Sequence, residues 1–182
     1  GTKDYFGMAA LAEEFPALSL NFNLVPCLLR QLEDYLSGAA IDTHQRRSLL
    51  PATDLTEEDR AWMLGHLFMV HPRVIQSYPR YAQIWEKAGL RGRGPGRATR
   101  EFSVHEFLDL QVLANLAWFH PLVFERDPEL TALRDRGRDF TEHDKALVLE
   151  RKKRVLSQVI PLHRRLQDEG RIEVTTTPFY HP

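Results

Sequence analysis

The sequence has a single cysteine, no long apolar run and no excess of charge of either sign. Cys27 has no partner for an internal disulfide, which fits a reducing compartment, and its apolar neighbours predict a buried, inert thiol. No apolar run approaches the ~20 residues that span a bilayer, so we expect no membrane partner. The 24 basic and 25 acidic residues give a net charge of −1, so overall electrostatics favour neither nucleic acid nor an acidic membrane surface.

Several motifs that carry chemistry are also missing. There is no Gly-x-Ser-x-Gly, no P-loop and no dinucleotide fingerprint. Eight histidines are present, but they form no His-Glu-x-x-His or His-x-His motif, and His163 is interpreted as a polar residue on a basic helix. We therefore predict no metal and no cofactor. We expect a cytoplasmic protein, with a signal peptide upstream of Gly1 as the open alternative.

The N-terminal part of the chain alternates helix and strand patterns. An apolar stripe predicts a helix over residues 3–15, and strict alternation predicts a strand over residues 19–25. Pro26 then opens a helix over residues 27–37, which Gly38 ends. Helix, strand and helix in this order indicate parallel βα units.

A long helical stretch follows. Apolar periodicity and capping signals predict helices over residues 56–70, 72–88, 104–118 and 142–168, with Pro161 kinking or dividing the last one. A second strand is predicted over residues 171–177. Residues 89–100 are rich in glycine and arginine, which allows an RGG-like nucleic-acid interpretation. Because no aromatic residue interleaves these arginines, we predict a solvated flexible loop and no nucleic-acid partner.

These patterns predict an α/β fold with two parallel strands far apart in the sequence. Residues 1–39 would form the first βα elements of a barrel, and residues 170–182 its next strand and the start of a substrate-side loop, cut short at Pro182. A crossover between neighbouring parallel strands needs only one helix. The remainder, residues 40–169, is therefore predicted to be an inserted helical subdomain carrying the flexible loop.

Polar residues on the two predicted strands are the candidates for chemistry. Asn21 and Asn23 share one side of the first strand, and a second set shares one side of the second strand: Glu173, Thr175 and Thr177. If the apolar sides face surrounding helices, these polar side chains point into the barrel, where substrate hydroxyls bind. The alternatives are a hydrogen-bonded polar layer or a solvent-exposed strand face. Tyr180 and His181 follow on the next loop, where they offer a stacking surface and a hydrogen-bond donor, or simply pack.

Several segments together resemble glycoside hydrolase family 57, in the order that the family shows them. They are Lys3-Asp-Tyr-Phe-Gly-Met-Ala-Ala10, Asn21-Phe-Asn-Leu-Val-Pro-Cys-Leu-Leu-Arg-Gln-Leu-Glu-Asp-Tyr35, Tyr78-Pro-Arg-Tyr81, Asp109-Leu-Gln-Val-Leu-Ala-Asn-Leu-Ala-Trp-Phe119 and Glu173-Val-Thr-Thr-Thr-Pro-Phe-Tyr-His-Pro182. The resemblance implies an incomplete (β/α)₇ barrel, of which this chain would form a part, acting on α-glucans such as starch or glycogen. Family members include α-amylases, amylopullulanases, 4-α-glucanotransferases and branching enzymes.

The resemblance also assigns roles to the site. The segment from Glu173 to Pro182 is similar to a signature that lines the substrate site. Its residues Tyr180, His181, Thr177 and Glu173, together with Asn23 from the polar side of the first strand, are expected to bind a polysaccharide or oligosaccharide. The glutamate nucleophile and the aspartate acid/base belong to later signatures, so no catalytic residue is expected here and the fragment alone is expected to be inactive. A non-catalytic carbohydrate-binding or scaffolding helical module is the alternative. The oligomeric state and the choice between hydrolysis, transfer and branching stay open.

Overall fold

The computed structural model describes residues 1–89 and 98–179. Most of the predicted flexible loop at residues 89–100 therefore lies outside the described residues, as do Tyr180 and His181. The described chain is a mixed α/β structure, mostly helical, with two parallel strands.

The elements follow the predicted order of helix, strand, helices and strand. The first half comprises α1 (Asp4–Glu14), β1 (Leu20–Asn23), α2 (Pro26–Ser37), α3 (Thr43–Leu49), α4 (Glu57–His66), α5 (Pro72–Gln76) and α6 (Pro79–Lys87). The second half comprises α7 (Val104–Leu116), α8 (Pro121–Arg126), α9 (Pro128–Arg136), α10 (Glu142–Asp168) and β2 (Ile172–Thr175). Short 3₁₀ helices cover Ala52–Asp54 and Ala98–Glu101.

The chain divides into two compact units. The first, called the sheet unit below, comprises Gly1–Ile41, Phe119–Arg126 and Arg151–Pro182; the second, called the helical unit, comprises Asp42–Trp118 and Asp127–Glu150. The assignment of residues 1–39, 40–169 and 170–182 to barrel and insertion stays a prediction.

The sheet unit is built around the pairing of β1 with β2. The strands run parallel in the register Leu20 to Ile172 through Asn23 to Thr175, and the backbone N–H of Leu24 extends the ladder to the carbonyl of Thr175 at 2.9 Å. Arg171, just before β2, donates from its guanidinium to two carbonyls at the end of α1, including that of Glu13 at 2.9 Å. Helix ends leave carbonyls without partners, so this arginine caps α1 and fixes the start of β2.

Glu13 links further elements of the sheet unit. Its carboxylate accepts hydrogen bonds from Arg165 on α10 and from Arg126 on α8, the latter at 3.3 Å. The hydrogen bond from Arg165, together with the charges of both arginines, holds the pKa of Glu13 below its usual range. The C-terminal turn of α1 is thereby tied to two helices.

The helices of the helical unit begin where the sequence predicts. Thr56 and Asp59 form a capping box at the start of α4, and Ser103 and Glu106 form one at the start of α7. Almost all of α7 is buried, from Phe107 to Leu116. It is a core helix rather than an amphipathic surface helix.

Four predictions about local structure are wrong in whole or in part. The helix predicted over residues 72–88 is two helices, because Pro79 forces Tyr78 out of the helical region, to φ −115° and ψ 101°. Pro161 does not divide α10, which runs unbroken, since the carbonyl that loses its hydrogen bond belongs to the exposed residue Ser157; the kink stays a prediction. Cys27 is half-buried at the start of α2. His163 is not a surface residue but 1% exposed.

Among the helices of residues 1–89 and 98–179, none combines the length and the apolar character needed to cross a membrane.

Candidate functional site

Four exposed side chains lie together on one face of the strand pair, which we call the polar strand face: Asn21, Asn23, Glu173 and Thr175. The parallel register sets Asn21 beside Glu173 and Asn23 beside Thr175. Side chains alternate between the two faces of a strand, so the alternation seen in the sequence places all four on the same side. This juxtaposition is the one that the sequence predicts.

A chain of hydrogen bonds orders part of this face. The side-chain amide of Asn21 donates to Glu173 Oε2 at 2.9 Å, and the hydroxyl of Thr175 donates to Asn21 Oδ1 at 3.1 Å. Each side chain is thereby held in one orientation, while the second carboxylate oxygen of Glu173 remains available as an acceptor. The result is a short row of amide, carboxylate and hydroxyl groups open to solvent.

The opposite face of the strands is apolar and rests on α10. Phe22 and Ile172 are each 6% exposed. The rings of Phe22 and His163 pack edge to face, with their centroids 4.9 Å apart. His163 Nδ1 donates to the carbonyl of Val159 at 2.8 Å. Burial lowers the pKa of His163, so the ring is neutral at pH 7. Sequence reasoning missed this residue, although its spacing from Val159 marks the buried stripe of α10.

The predicted site residues differ in exposure and in hydrogen bonding. Glu173 belongs to the hydrogen-bonded row, whereas Asn23 is exposed and makes no side-chain hydrogen bond within the described residues. Thr177 is half-buried beyond the end of β2. Tyr180 and His181 lie outside the described residues. Asn21, rather than Asn23, contacts Glu173 directly. Alternation along β1 puts both asparagines on the same face, and the register with β2 determines which of them is held by a hydrogen bond.

The chemistry of the polar strand face is that of hydroxyl recognition. A carboxylate, an amide and a hydroxyl supply both donors and acceptors, as sugar hydroxyl groups require. Within β1 and β2, Glu173 is the one acidic residue. In residues 1–89 and 98–179, no group of three or more His, Cys, Asp or Glu side chains is placed to hold a metal ion.

Comparison with known proteins identifies the family. The model of glycosyl hydrolase family 57 matches residues 1–182. The chain belongs to glycosyl hydrolase family 57. Within the same comparisons, no curated protein and no solved structure matches it.

Membership of family 57 confirms the resemblance drawn from the sequence segments and covers the whole chain. It implies a glycoside hydrolase as the enzyme class and a carbohydrate as the substrate class. A carbohydrate substrate agrees with the donor and acceptor groups on the polar strand face of the family 57 chain.

Proposed function

We propose that the chain supplies substrate-binding residues to a family 57 glycoside hydrolase or transferase acting on α-glucans, and that it does not supply the catalytic carboxylates. The observation that carries the proposal is the ordered row on the polar strand face, where Thr175 donates to Asn21 and Asn21 donates to the exposed carboxylate of Glu173. Asn23 extends that row. Thr177, Tyr180 and His181 follow β2 in the sequence, and we assign them to the same substrate-binding role.

The proposed architecture is part of a (β/α)₇ barrel in which β1 and β2 are neighbouring strands. Their parallel pairing and their apolar face against α10 support this arrangement. In such barrels, residues near the carboxyl ends of the strands form the substrate site. Thr175 and Thr177 lie at that end of β2.

The number of carboxylates argues against catalysis by this face alone. A retaining glycosidase uses two carboxyl groups about 5–5.5 Å apart, one as the nucleophile and one as the acid/base. Glu173 is the one acid on β1 and β2, and its carboxylate accepts a hydrogen bond from the amide of Asn21. We assign it to hydrogen bonding with sugar hydroxyls.

Titration of maltohexaose into the 182-residue chain tests the binding role. We expect Glu173→Gln and Asn21→Ala each to weaken binding by about 5- to 100-fold, because a lost hydrogen bond to a charged or oriented group is worth ~1–3 kcal/mol. Glu33→Gln is the matched control, since it removes an exposed carboxylate from α2. Equal affinity of Glu173→Gln and Glu33→Gln would remove Glu173 from the site.

Assay of starch turnover tests the absence of catalytic carboxylates. The purified 182-residue chain is expected to release no reducing sugar from soluble starch. Turnover that disappears in Glu173→Ala would contradict the proposal and make Glu173 catalytic.

Maltohexaose binding without turnover is also what the non-catalytic binding module predicts. Measuring kcat/KM of a catalytically active enzyme that contains this chain separates the enzyme proposal from the binding module. If Tyr180 and His181 contact substrate in the transition state, His181→Ala or Tyr180→Ala should cost ~1–3 kcal/mol of transition-state stabilisation.

A further inference from the structure

The helical unit contains a cleft lined by arginines that the glucan proposal does not use. It has a volume of about 640 Å³, within the range of small-molecule sites. Its two walls are the segment 77–83, at the start of α6, and the segment 134–138, at the end of α9. Four of its lining side chains are arginines, Arg80, Arg134, Arg136 and Arg138, whereas one, Asp135, is acidic.

Two of the arginines are held in place from outside the cleft. Arg80 donates from Nε to Asp109 at 2.9 Å, and Asp109 is only 2% exposed. Arg136 donates from Nη2 to Asp144 at 2.5 Å, and its guanidinium lies over the ring of Phe140, 5.2 Å from the centroid. A guanidinium has five N–H groups, so one or two anchoring bonds leave further donors for a ligand. An anchored fork also loses little conformational entropy when it binds.

The other two arginines form ion pairs with their exposed neighbours in sequence. Arg134 pairs with Asp135 at 2.9 Å and Arg138 with Asp139 at 3.1 Å, and the two aspartate side chains are 63% and 75% exposed. Ion pairs between exposed side chains contribute ~0–1 kcal/mol, so an incoming anion can replace these aspartates at little cost.

The backbone of the second wall is bent to present these side chains. Gly137 has φ 65° and ends α9, and Asp139 has φ 53°, an uncommon value for a residue with a side chain. Two left-handed residues within three positions make a tight turn, with Arg136 and Arg138 on either side of Gly137. A sparsely populated backbone conformation of this kind is often found at ligand sites.

The neutral lining groups supply hydrogen-bonding capacity beside the arginines. Gln83 holds Arg80 Nη1 through its carbonyl oxygen at 2.6 Å, which leaves its amide NH₂ group as a donor. Burial raises the pKa of Tyr78 to about 12, so its hydroxyl keeps its proton at pH 7. Asp135 offers carboxylate oxygens that can accept from hydroxyl groups. The cleft therefore combines guanidinium forks with groups that suit sugar hydroxyls.

We propose that this cleft binds a phosphorylated sugar, with the phosphate on the arginines and the hydroxyl groups on Gln83 and Asp135. Arginine forks match the geometry of phosphate oxygens, and four of them exceed what a single carboxylate ligand needs. The inference stands apart from the glucan proposal, because every residue involved belongs to the helical unit and the test measures binding rather than turnover.

Calorimetric titration of the full 182-residue chain with glucose 6-phosphate, inorganic phosphate and glucose tests the proposal. We expect glucose 6-phosphate to bind, inorganic phosphate to bind more weakly, and glucose not to bind at this cleft. Binding should weaken as salt concentration rises, because the contacts are ionic. Equal affinity for inorganic phosphate would overturn the sugar assignment, and failure of glucose 6-phosphate to bind would overturn the site.

Paired variants locate the site. Arg134→Gln/Arg138→Gln removes the two exposed forks and is expected to weaken glucose 6-phosphate at least tenfold. Arg30→Gln/Arg100→Gln removes two exposed arginines elsewhere and should change the affinity less than twofold. Arg134→Lys/Arg138→Lys keeps the charge without the fork, so an intermediate loss is expected. Equal losses in the two glutamine variants would mean a general charge effect and would contradict the proposal.

Discussion

Two sets of polar side chains, one in each compact unit, differ in burial. In the helical unit, Lys145, Gln111 and Asn115 are buried, and they donate hydrogen bonds to one another, to backbone carbonyls and, from Asn115, to the hydroxyl of Ser48. In the sheet unit, the side chains of the polar strand face are exposed, and Asn21 hydrogen-bonds to the exposed side chains of Glu173 and Thr175. Buried polar groups must be satisfied to be tolerated at all, whereas exposed ones exchange freely with water or with a ligand.

The buried set forms a connected network. Lys145 Nζ donates to the carbonyl of Leu50 at 2.5 Å and to Gln111 Oε1 at 3.1 Å, and Gln111 Nε2 donates to the carbonyl of Arg47 at 2.8 Å. The Lys145 side chain is 4% exposed and also pairs with Glu142 at 2.7 Å. The network holds the chain around residues 47–50 against α7 and α10, so its role is structural. Buried polar side chains of this network serve architecture, whereas exposed ones, such as those of the polar strand face, are open to the ligand contact proposed above.

The largest expected effect comes from breaking the buried network. Lys145→Met should lower the free energy of unfolding by ~2–4 kcal/mol, because the carbonyl of Leu50 and Gln111 Oε1 each lose a buried donor. Urea denaturation measures the loss. Lys153→Met, at an exposed position of the same helix, is the control and should stay within ~0.5 kcal/mol of the original chain. Equal stability of the two variants would contradict a structural role for the network.

A pair of glycines tests how tightly each unit is packed at a chosen helix. A Cβ on Gly7 in α1 would lie 2.2 Å from the ring of His120, whereas one on Gly65 in α4 would meet nothing within 4 Å. Gly7→Ala should therefore destabilise the sheet unit by ~1–3 kcal/mol through overpacking. Gly65→Ala should stabilise the helical unit by ~0.5–1 kcal/mol, since alanine favours the helix. Thermal melts of both variants check the opposite signs.

The buried His163 of the sheet unit makes the free energy of unfolding depend on pH. The pKa of His163 is lowered by burial from the ordinary value of 6.5, so the unfolded chain takes up the proton first as pH falls. The contribution to stability is full above pH 6.5 and is lost progressively as pH falls below it. His163→Leu should flatten the decline in unfolding free energy between about pH 7 and 5. Some slope should remain, because burial also lowers the pKa of His120. An unchanged slope would contradict the assignment.

The smallest expected effect is on the polar strand face itself. Thr175→Val and Asn23→Ala replace exposed side chains and should change the free energy of unfolding by no more than ~0.5 kcal/mol. Their effect should appear instead in maltohexaose affinity. A stability loss near that of Lys145→Met would mean that this face is a structural layer, the alternative that the sequence left open.

Much of the local structure follows from short-range signals in the sequence. The capping box at Ser103, the strand alternation around Asn21 and the left-handed Gly38 after α2 are each confirmed, because their causes lie within a few neighbouring residues. The helix break at Tyr78 could also have been predicted from the sequence, since Pro79 restricts the backbone of the residue immediately before it.

What the sequence could not supply depends on distant contacts. Lys145, Gln111 and the carbonyl of Leu50 meet only in the folded chain, so no local pattern marks that lysine as buried. The contact of Asn21 with Glu173 likewise required the register between two strands on opposite ends of the chain. The arginine cleft joins segments 77–83 and 134–138 in the same way.

The pairing of β1 with β2 has a consequence for synthesis on the ribosome. At about 5–20 residues per second, β1 leaves the ribosome roughly 8–30 s before its partner. Residues 42–150, which make up most of the intervening chain, include the whole helical unit. That unit can fold while β1 waits with unpaired backbone groups, a state prone to aggregation. Slowing translation within residues 151–171 should therefore lengthen the time during which β1 is unpaired and prone to aggregation. A chaperone that shields β1 should raise the yield of folded protein.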